Sequence, residues 1–177
     1  SMPISYPFGF VGWCVFQDAA TKWLGIYFIR SHTGEEIKRC FMQFLTDNSA
    51  YLPKVNGVPT VKEWYTDNHG EFFSADTDKF CLELFIRHKS ITEWNPQQNP
   101  AERSHSSILR MIRIVHAAAN DAPLCLWPFT ANQAASVHNA LITRSATAVN
   151  PMSSPHQMKT GKLADLLKFR VMYCAVS

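Results

Sequence analysis

Apolar and aromatic side chains crowd residues 10–18 and 22–30, two runs rich in Val, Ile, Phe, Trp and Tyr that meet at Asp18-Ala19-Ala20-Thr21. Runs of that kind with a short polar break predict a β-hairpin. Thr33 followed by Glu36 is a capping-box pattern, and Ile37, Cys40, Phe41, Phe44 and Leu45 then recur at helical spacing, so a helix is expected over residues 34–46. Pro53, Asn56-Gly57 and Pro59 punctuate a loop, after which residues 60–66 form a short β-branched and aromatic strand ending at Asp67-Asn68-His69-Gly70. Ser74 is placed to cap a helix carrying Phe80, Cys81 and Leu84, and residues 86–91 suit another strand. Residues 94–100 read as loop, with two prolines and no period. Residues 101–119 set Ile108, Leu109, Ile112 and Val115 on one helical face, and a second helix is expected over 129–143. Residues 145–168 read as turn-rich, and 169–176 close as a strand. The order strand, strand, helix, strand, helix, strand, then paired helices is an α/β pattern.

Composition adds little to this. At 177 residues and 46% apolar, with no shift along its length, the chain suits one domain over residues 1–177. Its apolar runs are too short to cross a bilayer and no leader pattern opens it, so a soluble, intracellular protein without a membrane partner is expected. Ser1-Met2 reads as an expression scar before a boundary methionine. The cysteines, Cys14, Cys40, Cys81, Cys125 and Cys174, are odd in number and never in C-x-x-C spacing, so they read as buried thiols. The histidines lack the H-x-x-x-H pairing of a zinc site. A net charge of +3 suits nucleic acid and an ordinary surface equally.

Asp67, at a strand end, and Glu102, in the first turn of a long helix, stand out by position. Brought together, such carboxylates could hold a divalent metal for phosphoryl transfer, because their oxygens are the preferred hard ligands of Mg2+. A plainer reading competes: Asp67 before Asn68 and Gly70 suits an Asx turn, and Asn99-Pro100-Ala101-Glu102 is a good helix start. Spacing alone favours the plainer reading.

The surrounding residues reverse that weighting. Thr66-Asp67-Asn68-His69-Gly70-Glu71-Phe72 and Pro96-Gln97-Gln98-Asn99-Pro100-Ala101-Glu102-Arg103 resemble the T/S-D-N-G-G-E-F and P-Q-Q-N-G-x-A-E-R signatures of copia-type retrotransposon integrases. Residues 13–30 resemble that family's second and third strands, and Leu141-Ile142-Thr143-Arg144-Ser145 its L-x-N-R-S-P segment. Ser154-Pro155-His156-Gln157-Met158-Lys159-Thr160-Gly161 is similar to T-P-Y-E-L-W-x-G, and residues 167–176 to the L-R-V-F-G-C-x-A-Y-V strand. Several ordered matches in one register are specific where any one alone is weak.

The resemblance implies a ribonuclease H-like α/β fold, a mixed sheet flanked by helices, and metal-dependent 3′-end processing and strand transfer of retrotransposon DNA. It implies a homodimer that is nuclear when functioning, with element ends and target DNA as partners. Asp67 and Glu102 match the second aspartate and the glutamate of the family's D, D, E metal set, with Mg2+ or Mn2+ as the ion. The first aspartate belongs to a D-x-x-G-P segment, and Met2-Pro3-Ile4-Ser5 resembles the residues directly after its Gly-Pro. The first strand is therefore expected to be missing here, leaving the chain inactive, its metal weakly bound, and the neighbouring strands short of a partner. Asp18 matches a hairpin aspartate and is expected to form a turn with Thr21. Between Asp67 and Glu102 lie 34 residues, one short of the family's usual spacing, with Pro100 where its loop has glycine.

Around this pair, Gln98, Asn99, Arg103, Ser106 and Arg110 are the candidate nucleic-acid contacts, with Arg113 on the same helix. Each has an ordinary alternative: Asn99 as a helix cap, the arginines as a solvated face. Trp94 could stack on a base or simply be half-buried, and His69 stands where the family has glycine. The rival from another class is a non-catalytic nucleic-acid-binding or protein-interaction module that keeps the fold.

Overall fold

The computed structural model describes residues 5, 8–66, 75–90, 100–118, 123–142 and 152–165. The hairpin is present: β1 (Gly12–Gln17) and β2 (Leu24–Ile29) pair antiparallel, with Cys14 opposite Tyr27 and Phe16 opposite Gly25. Asp18 closes it, its Oδ2 accepting the Thr21 backbone N–H at 2.7 Å and the Thr21 hydroxyl at 2.5 Å. The two strands are buried on both faces. Cys14, Phe16, Tyr27 and Ile29 join one core, whereas Trp13, Val15, Leu24, Ile26 and Phe28 join another on the opposite side. Double burial explains why the runs are nearly continuous in apolar residues instead of alternating.

Helix α1 (Gly34–Asp47) covers the first face, with all five anticipated apolar residues buried. Thr33 caps it by accepting the Glu36 N–H, but the Glu36 carboxylate does not complete the box; it accepts the Arg30 backbone N–H at 3.1 Å and pairs with Arg39. The segment read as loop contains a small hairpin, β3 (Lys54–Val55) and β4 (Val58–Pro59). Its turn residues Asn56 and Gly57 both have positive φ, 51° and 81°, the backbone form for which Asn-Gly is preferred. β5 (Glu63–Thr66) follows, then α2 (Ala75–Glu83), then β6 (Arg87–Ser90), which lies parallel to β5. Phe41 of α1 stacks on Trp64 of β5 with ring centroids 4.2 Å apart and planes 7° apart, tying this pair to the same core.

The opposite face of the hairpin is covered by α3 (Pro100–Ala118) and α4 (Trp127–Ala140). Residues Leu124–Leu126 form a 3-10 turn, and α4 starts two residues before the expected 129, with Trp127 buried and Pro128 in its first turn, where proline loses nothing. The stretch read as turn-rich holds a further helix, α5 (Pro155–Thr160), with Ser154 accepting the Gln157 N–H at 3.2 Å and Gly161 left-handed at its end. Six residues are too few to show a period, which is why the stretch reads as turn-rich in the sequence. Lys159 anchors α5, its ammonium 3.9 Å from the Trp23 ring centroid and 5.1 Å from that of Tyr51, with a hydrogen bond to Asn48. The strand expected over 169–176 and the Ser74 cap lie outside the described residues.

The outer edge of β2 is closed by side chains. Leu24 N–H donates to Asn139 Oδ1 at 2.9 Å, Asn139 Nδ2 donates to the Leu24 carbonyl at 2.8 Å, and Arg39 Nη2 donates to the Phe28 carbonyl at 2.7 Å. The carboxamide of Asn139 thus stands in for a neighbouring strand. Among the described residues no strand pairs with the outer edge of β1. Asn139→Ala removes both bonds to Leu24 from a buried site and is expected to cost roughly 2–3 kcal/mol, measured by urea unfolding. A loss under about 0.5 kcal/mol would mean that water replaces the carboxamide freely.

Candidate active site

Burial decides which side of α3 meets solvent. Ser104, Ile108 and Ile112 are buried, the isoleucines in the core with Trp127 and Ala131. Glu102, Arg103, Ser106, Arg110 and Arg113 are all exposed. Steps of three and four residues carry Ser106, Arg110 and Arg113 up one face, so the helix presents a basic row led by a first-turn carboxylate. A carboxylate is favoured at that end of a helix by the unpaired N–H groups there. The helix is seated on β1 through Trp13, whose indole lies 5.3 Å from the His105 ring and 5.1 Å from that of Trp127. Burial pulls the His105 pKa below its ordinary value, and the Glu102 carboxylate offsets part of that.

The end of β5 is fixed by a chain of polar contacts that the sequence did not reveal. Thr66, buried and last in the strand, sits with Oγ1 2.9 Å from His88 Nε2, and His88 Nδ1 is 3.1 Å from Asp78 Oδ1. A carboxylate oxygen only accepts, so Nδ1–H donates to Asp78; in the neutral imidazole Nε2 is then left to accept the Thr66 hydroxyl proton. His88 also stands against Trp64, ring centroids 5.3 Å apart. β6, α2 and the core therefore all grip the residue that precedes Asp67. No local pattern announced this, because the parallel pairing that brings Trp64 and Thr66 beside β6 is long-range.

Of the anticipated site residues, Glu102, Arg103, Ser106 and Arg110 come together on α3. Asp67, Gln98 and Asn99 lie outside the described residues, as do His69 and Trp94, and so does the separation of Asp67 from Glu102. α3 begins at Pro100, which places Glu102 in its first turn as expected. Among the described residues no group of three or more His, Cys, Asp or Glu gathers as a metal cluster. Nor is any helix among them long and apolar enough to cross a membrane.

This arrangement matches solved structures. The chain superposes on the simian T-cell lymphotropic virus intasome, solved in complex with PP2A regulatory subunit B56 gamma, with TM-score 0.63 and 16% identity, covering 82% of this chain and 47% of that one. On the HTLV-2 integrase catalytic core domain, in complex with magnesium in its trimeric form, the TM-score is 0.58 at 19% identity, over 83% of this chain and 84% of that one. The BIV integrase catalytic core gives 0.58 at 16% identity, over 82% of each chain. The fold is that of a retroviral integrase catalytic core. Ribonuclease H-like α/β architecture is thereby established for the chain. In sequence, the chain resembles a segment of the retrovirus-related Pol polyprotein from transposon TNT 1-94 of Nicotiana tabacum, 26% identical over 160 residues, which is 90% of this chain and 11% of the polyprotein. It also resembles the Gag-Pro-Pol polyprotein of sheep pulmonary adenomatosis virus, 33% identical over 78 residues, 44% of this chain and 4% of that one. The chain thus spans a small part of these relatives' length. No family model matches it.

The two histidines that burial holds below the ordinary value of 6.5, His105 and His138, set a pH dependence. Below that pH the unfolded chain binds protons that the folded one resists, so stability is full above it and declines as pH falls. The thermal midpoint is expected to drop between about pH 7 and pH 5, and less so with His105→Gln and His138→Gln combined. An equal drop in both proteins would acquit these histidines.

Proposed function

We propose that this chain is the catalytic core of a retrotransposon integrase, which trims the 3′ ends of element DNA and joins them to target DNA in the nucleus, working as a homodimer. The observation that carries this reading is the outward face of α3, where Glu102 leads an exposed row of Arg103, Ser106 and Arg110. Glu102 is a hard oxygen donor open to solvent, the ligand type that Mg2+ or Mn2+ takes, and Asp67, which follows the clamped Thr66, is the second donor in this reading. When bound, the metal supplies charge neutralisation at the attacking and leaving oxygens of an in-line phosphodiester displacement. Arg103 and Arg110 hold successive phosphates, Ser106 donates a hydrogen bond between them, and Gln98 and Asn99 touch sugar or base ahead of the helix. The Thr66–His88–Asp78 contacts keep the strand from which Asp67 emerges in one position.

The reading sets charge against salt. Arg103→Ala and Arg110→Ala together are expected to weaken binding to a DNA duplex and to lower the slope of log affinity against log salt by about two, one for each lost phosphate contact. An unchanged slope would remove α3 from the interface. Loss of DNA affinity in a protein whose Mn2+ binding does not depend on Asp67 or Glu102 would favour the non-catalytic binding module instead.

In strand-transfer and nicking assays with Mn2+, the 177-residue chain by itself is expected to be inert or nearly so. Of the three carboxylates of the family's set two are assigned here, and Asp18 commits its carboxylate to Thr21. Robust activity abolished by Asp18→Asn would show the set to be drawn wrongly.

A further inference from the structure

An ammonium group sits between two aromatic rings beside the turn of the hairpin. Trp23 stands just before β2, and Tyr51 comes from the turn after α1, where its backbone N–H donates to the Asn48 carbonyl at 2.8 Å. Lys159 of α5 brings its Nζ to 3.9 Å from the Trp23 ring centroid and 5.1 Å from that of Tyr51, and donates a hydrogen bond to Asn48 Oδ1. Asn48 is buried, and its Nδ2 donates to the Phe44 carbonyl at 2.6 Å, which leaves Oδ1 as the acceptor turned to the ammonium. The carboxylates of Asp18 and Asp47 favour the charge, although burial is the larger influence and holds Lys159 below its ordinary value. A cavity of about 230 Å³ adjoins the ammonium, with Trp23, Tyr51, Asn48 and Asp18 in its wall. Tyr51 is 53% exposed, so solvent reaches the cage from that side.

We propose that this cage is a binding site for a methylated lysine of another peptide, dimethyllysine above all, and that Lys159 fills it until such a ligand displaces it. The present occupant shows that a lysine side chain fits between the two rings. A primary ammonium is strongly hydrated and gives up much of that water on entering. Methyl groups lessen the loss and spread the positive charge over carbons that lie against the aromatic faces, which is how aromatic cages hold methylated amines. The N–H that a dimethylammonium keeps donates to Asn48 Oδ1 as Lys159 does now, whereas a trimethylammonium has none and leaves a buried acceptor unpaired. Asp18 and Asp47 favour a cation over a neutral group of the same shape, and they oppose the phosphate of a phosphocholine headgroup. Displacement returns the Lys159 ammonium to water, while α5 keeps its seat through the buried Pro155 and the Ser154 cap. Because Lys159 is tethered beside the cage it competes at high effective concentration, so a chain without that side chain binds the ligand more tightly. The site shares no residue with the DNA face of α3 and does not rest on the reading of that face.

The test titrates N-acetyl-lysine methylamide, unmethylated, dimethylated or trimethylated at Nζ, into the nitrogen-labelled 177-residue chain and follows its five tryptophan indole signals by NMR, Trp23 being the one that Trp23→Phe removes. The expected result is a saturable shift of the Trp23 signal, tightest for the dimethyl ligand, weaker for the trimethyl and weakest for the unmethylated one. Each should bind more tightly to Lys159→Ala than to the unaltered chain, and Tyr51→Ala added to Lys159→Ala should weaken the dimethyl ligand. A neutral ligand that ends in a tert-butyl group should bind at least about threefold more weakly than the dimethyl one, the effect of losing a cation–π contact. Lys159→Gln repeats the measurement if circular dichroism shows that alanine disturbs α5. Absence of a saturable Trp23 shift in a folded Lys159 variant overturns the proposal. So does equal binding of the neutral ligand, which would make the cage an apolar slot, and phosphocholine binding as tightly as dimethyllysine would overturn the assignment to lysine in favour of a lipid headgroup.

Discussion

Both faces of one two-stranded hairpin are covered by helices, and the other elements take their places from that burial. A hairpin alone is marginal in water. Here Phe16 meets Phe44, Phe41 and Tyr27 at ring distances of 5.3, 5.5 and 5.7 Å on one side, while Trp13 and Phe28 meet Trp127 at 5.1 and 5.5 Å on the other. Each large side chain withdrawn from water contributes on the order of 1.5–3 kcal/mol, so a few such contacts per face outweigh what the ladder of β1 and β2 provides. Gly25 belongs to the same constraint, since a methyl group there would stand 2.9 Å from the Tyr27 ring.

Polar side chains finish what apolar packing leaves open. Burying a strand edge strands its N–H and C=O groups, and each must find a partner. Asn139 and Arg39 meet that demand on β2 and Asp18 in the hairpin turn, while His88 with Asp78 partners the buried Thr66 hydroxyl at the end of β5. These contacts fix position more than they add energy, because each replaces a hydrogen bond to water. Their effect reaches the candidate site: α3 lies on the hairpin through Trp13, and Thr66, the last residue of β5, is held by β6 and α2.

The polar row on α3 is exposed because Ile108 and Ile112 turn the helix's other side into the core. Glu102 and the arginines therefore share one rigid element, and their relative spacing is that of a helix. A charged row held in this way suits a repeating anionic partner better than a flexible loop would, since less side-chain freedom is lost on binding.

Elements whose signal is local were legible in the residues alone. The two apolar runs, the Thr33 cap with its five buried followers, and the first-turn place of Glu102 all depend on neighbours within a turn or a strand. The motif around Thr66 to Phe72 and that around Pro96 to Arg103 pointed to the integrase fold, which the superpositions bear out. Short elements were missed: the Asn56-Gly57 hairpin and α5 are too brief to display a period. Only the tertiary structure decided which polar groups become partners. Asn139 lies 115 residues from Leu24, and Thr66 lies 22 from His88, separations at which a sequence carries no trace of the pairing. Such contacts exist because packing has already brought the elements together, and their geometry is set by the core and not by the residues that make them.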